Sequence, residues 1–111
     1  MTVINGRELD ATLGELLSRL TAVYGERLRS LHLFGSYARN EAGPESDVDV
    51  LVVLDEVPNY MAEVRRTGGI VSSLSLAHAV TISPVFVSER AWEAAATPFL
   101  QNVREEGRRA A

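Results

Sequence analysis

Leu13, Leu16, Leu17, Leu20, Val23 and Tyr24 recur at i, i+3, i+4, i+7, i+10 and i+11. That spacing sets them on one face of an amphipathic helix. Thr12 with Glu15 reads as a capping box, Asp10 offers an alternative cap, and Gly25 is a suitable terminator. The pattern then changes. Residues 31–34, Leu-His-Leu-Phe, predict a first strand that Gly35 breaks, and 37–41 predict a short helical turn. Residues 41–46, with Gly43 and Pro44, predict a loop. Residues 47–54 predict a second strand whose apolar run, Val48 and then Val50 to Leu54, is nearly unbroken. Such a run is expected of a strand covered on both faces.

Met61, Val64, Val71 and Leu74 carry helical spacing through residues 61–77, where Gly68-Gly69 predicts a kink or a division into two helices. Residues 79–87 are rich in β-branched side chains and predict a third strand, with Pro84 marking an edge or a bulge. Ser88 is a credible N-cap for a short helix over 89–95, and 98–106 predicts a last helix closed by Gly107. The order α, β, β, α, β, α suits an α/β (α+β) fold, a small mixed β-sheet with helices packed on it.

Composition narrows the class. A chain of 111 residues is expected to form one domain, 1–111, with a real core and no need of staples. There is no Cys, which removes thiolate metal sites and cysteine nucleophiles and fits a cytoplasmic protein. No apolar run approaches the ~20 residues that span a bilayer. Residues 1–10 lack the basic-then-apolar order of a signal peptide. The net charge of −4 argues against broad capture of nucleic acid. All 11 basic residues are Arg, which excludes a lysine-based mechanism. Arg104, Arg108 and Arg109 read as favourable charge near a helix C-terminus with a solvated end, ahead of a basic tail.

The chemistry concentrates between Gly35 and Asp49. Asp47 and Asp49 stand two apart, so on a strand both project to one face. Two like charges side by side are costly unless a cation joins them. Asp49 is further flanked by Val48 and Val50, which makes an unpaired carboxylate there expensive. Upstream, the Gly35-Ser36 turn follows an apolar strand and offers backbone N–H groups suited to a phosphate. Taken singly, each feature has a plain structural reading: Gly35 as strand terminator, Ser36 as N-cap, Ser46-Asp47 as a turn capping itself. Taken together they match metal-assisted phosphoryl or nucleotidyl transfer.

The motif Gly35-Ser36-x10-Asp47-x-Asp49 resembles the signature of the DNA polymerase β-like nucleotidyltransferase superfamily, and in particular its minimal, MNT-type branch, whose pattern reads roughly GSxARG…SDxDL. Asn40 stands here for the usual Gly and Val50 for the Leu. The resemblance implies a polymerase β-like fold, an NTP (ATP foremost) held by Gly35, Ser36 and Arg39, and two Mg²⁺ ions on the catalytic pair Asp47 and Asp49. An ion pair of Arg39 with Glu41 or Glu45 competes with a phosphate role. It also implies AMP transfer to a hydroxyl of a partner protein or small acceptor. The partner would be a HEPN-type toxin, with this chain as antitoxin and specificity set by that partner or by a homo-oligomer interface.

One departure matters. Active members of the superfamily place a third Asp or Glu on a neighbouring strand, here 79–87, which contains no acid; Thr81 or Ser83 takes that position, and Glu89 lies past the strand's end. General-base help worth roughly 10²- to 10⁴-fold would be missing. The alternative reading is therefore a catalytically impaired nucleotide- or partner-binding module. His32, His78, Trp92, Phe99 and Leu100 read as packing residues, and Tyr37 as packing or a lid over a nucleoside.

Overall fold

The computed structural model describes residues 3–111. Its first helix, α1 (Gly6–Tyr24), starts six residues ahead of the Thr12 box. Asn5 is the cap, its side chain accepting from the Glu8 N–H at 2.8 Å. Thr12 is instead fully buried, its hydroxyl donating to the Glu8 carbonyl. The apolar stripe begins at Leu9, so the helix needed its first turn before the densest part of the pattern. Gly25 does end it, at φ 56°.

Strands β1 (Leu28–Phe34) and β2 (Val48–Leu54) pair antiparallel, with an irregularity in register between Leu28 and Ser30. After helix α2 (Tyr60–His78) the chain returns as β3 (Ile82–Ser88), parallel to β2. Short helices α3 (Glu89–Ala94) and α4 (Pro98–Glu106) follow. Residues Arg108–Arg109 then form β4, antiparallel to the free side of β1. The sheet order is β3-β2-β1-β4. It is mixed, as the sequence predicts. The strand β4 is the element that hydropathy does not predict, since both of its residues are exposed arginines. Backbone bonds hold it: Ala110 N–H donates to Leu31 O at 2.7 Å.

Helix α2 is unbroken through Gly68-Gly69, where added Cβ atoms would meet only open space. The glycines cost helix propensity without kinking it. Helix α2 also runs past the expected boundary to His78, capped by Ala79 in the left-handed region (φ 52°), so β3 starts at Ile82 rather than 79. Pro84 lies on an edge strand, as expected, and pairs in regular register with Val50.

Sheet parity divides the core. Leu31, Leu33, Val48, Val50, Val52, Leu54, Ile82 and Phe86 face α1 and α2. Leu51, Val53, Val85 and Val87 face α3 and α4 through Trp92, Leu100 and Val103. Strand β2 is covered on both sides: every residue from Val50 to Leu54 is fully buried. Gly107 caps α4 with its N–H on the Val103 carbonyl, and a Cβ there would collide with that carbonyl and press on Leu33 O at 3.0 Å. Among the described residues no helix is long and apolar enough to cross a membrane.

Candidate active site

The C-terminal end of β1 and the N-terminal ends of β2 and β3 meet at one end of the sheet, and the two aspartates lie there. Asp47 stands just ahead of β2 and is exposed; Asp49, inside the strand, is half-buried. Asp49 has Phe34 opposite it on β1 and Ser83 beside it on β3. The Ser83 hydroxyl donates to Asp47 Oδ2 at 3.3 Å. One strand boundary thus differs from expectation, yet both carboxylates arrive on the same side.

The Gly35 turn reaches the same point. Gly35 has φ +75°, and a Cβ built on it would strike Asp49 Oδ2. Only a glycine lets the backbone turn left-handed and pass directly against that carboxylate. Within the turn, the Ala38 and Arg39 N–H groups donate to Gly35 O, and Glu41 N–H to Ser36 O. The amides of Ser36 and Tyr37 take no part in those bonds. Asn40 closes the turn at φ 57°. This explains the residue that replaces the glycine of the minimal pattern, since Asn tolerates the left-handed region best among non-glycines.

Burial pushes the Asp49 carboxyl up from its ordinary value, the charge of Asp47 pushes it further, and Arg39 opposes both. A half-buried carboxylate with a second carboxylate beside it is the arrangement a divalent cation relieves. Their hard oxygens, with open space on the Asp47 side, fit Mg²⁺, which accepts one or two carboxylates plus substrate phosphates and water. Among the described residues no cluster of three or more His, Cys, Asp or Glu is placed to hold a metal. The third position belongs to Ser83, not Thr81. Glu89 cannot fill it, because it follows the far end of β3 and pairs with Arg29 at 3.8 Å.

Arg39 is exposed beside the turn. It pairs with Glu41 at 3.2 Å, one of the two expected partners, and with Glu106 of α4 at 3.4 Å. Sequence separation hid the second contact, which lies 67 residues away. The only sequence signal was the α4 spacing itself, since Phe99, Asn102 and Glu106 share one helical face. These three, with Phe34, Gly35 and Arg39, line a cavity of about 260 Å³. Tyr37 is not a lid: it is buried, its hydroxyl accepting from the Ile4 N–H at 3.4 Å.

The two histidines and Arg104 are accounted for by packing. His32 is buried against Trp92 (ring centroids 4.4 Å apart) and bonded to Ser30. His78 joins α2 to Glu15 of α1 at 2.9 Å. Arg104 stacks over Trp92 and donates twice to its carbonyl.

A mixed sheet with a tight glycine turn set against an aspartate pair is the arrangement of a nucleotidyltransferase-type fold. Residues 14–107 match the model of the nucleotidyltransferase domain family, and the chain belongs to that family. It is 32% identical over 100 residues to a Methanocaldococcus jannaschii protein, MJ0604, named as a candidate protein adenylyltransferase, covering 89% of this chain and 94% of that one. It is 44% identical over 55 residues to the protein adenylyltransferase MntA of Thermococcus cleftensis, covering 45% of this chain and 56% of that protein. Among solved structures it resembles a chain of a toxin–antitoxin complex crystallised with AMP-PNP (TM-score 0.66, 20% identity, 89% of this chain and 72% of that one). It also resembles a chain from the complex of a tri-AMPylated Shewanella oneidensis HEPN toxin with its MNT antitoxin (TM-score 0.56, 19% identity, 91% and 70%). At those identities the structural likeness concerns the fold.

Proposed function

We propose that this chain is a minimal nucleotidyltransferase that moves AMP from ATP to a hydroxyl of a partner protein, a HEPN-type toxin, and thereby acts as its antitoxin. The observation that carries the reading is the convergence of the Gly35 turn on Asp49, with Asp47 and Ser83 alongside. Relatives named as protein adenylyltransferases support the substrate and the transfer. The toxin–antitoxin neighbours, one of them in complex with an AMPylated HEPN toxin, support the partner.

In this reading Asp47 and Asp49 hold Mg²⁺, and the backbone amides of Gly35 and Ser36 with the Ser36 hydroxyl receive the triphosphate. Arg39 leaves Glu41 or Glu106 to take a phosphate oxygen. The bound metal would supply Lewis-acid stabilisation of the charge on the α-phosphate and on departing pyrophosphate. The acceptor oxygen forms a bond to the α-phosphorus, the α–β P–O bond breaks, and pyrophosphate departs. The acceptor's proton leaves with water or phosphate, since Ser83 is no base at neutral pH.

That last point sustains a second reading, a nucleotide-binding module that restrains its partner by contact with little or no transfer. One experiment separates the two. Purified chain is mixed with a co-expressed partner, α-³²P-ATP and Mg²⁺, beside Asp47→Asn/Asp49→Asn. Label on the partner that vanishes in the double variant while the complex persists supports the enzyme. An unlabelled partner restrained equally by both proteins supports the module.

A further inference from the structure

We infer that the cavity between the Gly35 turn and α4 is the nucleobase slot of this site, with Phe99 the stacking surface and Asn102 the residue that selects adenine. The inference rests on the nucleotide reading proposed above and supplies what the motif does not contain, a means of telling one base from another.

The cavity adjoins the aspartate pair. Its floor is Phe34, the β1 partner of Asp49, and its near wall is Gly35, whose backbone abuts the same carboxylate. Arg39 and Glu106 stand at its charged side, bridged at 3.4 Å. A triphosphate seated on the turn would put its nucleoside within reach of this space. The space is also of the right character. Ligand sites combine apolar walls with a few placed polar groups, and about 260 Å³ accommodates one planar ring system.

Phe99 is 41% exposed, although Phe34 meets it edge-on with centroids 5.2 Å apart. The T-shaped packing fixes the ring and leaves aromatic surface uncovered. An exposed, held aromatic ring beside a phosphate site is suited to stacking a base, worth roughly 1–3 kcal/mol by alanine substitution. Asn102 follows at i+3 on the same helical face and is likewise exposed. Its side-chain amide carries one acceptor and two donors, the set that matches the amino donor and ring-nitrogen acceptor of adenine in a bidentate pair. Guanine offers its acceptors and donors in another order, and pyrimidines stack less surface on Phe99.

Calorimetric titration of the full chain in Mg²⁺ with ATP, GTP, CTP, UTP and inorganic tripolyphosphate tests this directly. The expected order is ATP tightest by about tenfold. Phe99→Ala should weaken ATP by roughly 5- to 100-fold and leave tripolyphosphate unchanged. Asn102→Asp, an exposed change that spares the fold, should move the ATP-to-GTP affinity ratio toward guanine, with tripolyphosphate correcting for the added charge. Equal binding of all four nucleotides by the wild type, or an ATP-to-GTP ratio unmoved in both variants, overturns the slot. Failure of both tripolyphosphate and every nucleotide to bind the folded chain overturns the nucleotide reading itself, a distinct result.

Discussion

Gly35 carries two constraints at once, and they multiply its importance. Its φ of +75° disfavours any side chain, and the space a Cβ would take is already held by Asp49 Oδ2. Gly35→Ala should therefore destabilise by about 1–3 kcal/mol through strain at a left-handed residue, and displace Asp49 as well. The check is a denaturant melt with Mg²⁺-nucleotide titration; wild-type stability and affinity together would refute the geometry. His32 yields a separate, pH-dependent expectation. Burial, then Arg109 and Arg104, hold its imidazole down to about 4 from 6.5. The folded state thus refuses a proton that the unfolded chain accepts between those values. Stability from neutral His32 is complete above pH 6.5 and is lost as pH falls toward 4, by up to about 3 kcal/mol. Urea midpoints for wild type and His32→Gln across that window should converge at low pH; parallel curves would rule the effect out.

At the scale of elements, two helices end on alanines in the left-handed region, Ala79 after α2 (φ 52°) and Ala95 after α3 (φ 46°). Glycine relieves that conformation at a C-cap. Ala79→Gly should raise stability by roughly 0.5–1 kcal/mol, read as a higher melting temperature, because the cap bonds from Ala79 N–H to Leu76 O and Ser75 O are kept. The same ends mark where sequence patterning succeeded and failed. Strands β2 and β3 were legible, since runs rich in β-branched residues have few alternatives, whereas β1 has no such residue and was legible only from Leu31, its polar start at Leu28-Arg29-Ser30 being missed. The start of α1 was not, because Asn5 caps a first turn whose apolar content is thin. The β3 boundary moved because α2 won Ala79 through a cap that alanine propensity does not favour. Strand β4 was invisible to patterning: two exposed arginines join the sheet through backbone bonds to β1 alone.

For the whole molecule, the aspartates and the turn were legible because the chemistry demands particular residue types at a fixed short spacing. The surroundings were legible only in part: Ser83 was one of two candidates for the third position, while Glu106 and the α4 face reach the site only through long-range folding. That assembly concentrates negative charge at one end of the sheet in an already acidic chain: Asp47 beside Asp49, with Glu41 and Glu106 sharing the one guanidinium of Arg39. Such a site is held in place by the remainder of the fold rather than contributing to it. Neutralising it should consequently favour the fold while removing the ligand. Asp49→Asn abolishes both the desolvation of a half-buried charge and its repulsion by Asp47, and should stabilise the free protein by about 1 kcal/mol. Mg²⁺-dependent ATP binding should fall by at least tenfold in the same variant. Thermal melts with and without Mg²⁺-ATP separate the two effects. The wild type should melt lower than the variant when free and be raised by the ligand, whereas the variant should not respond. A variant that is less stable than the wild type in the absence of ligand would mean that Asp49 is a structural residue, bound into the end of the sheet by contacts that outweigh its charge.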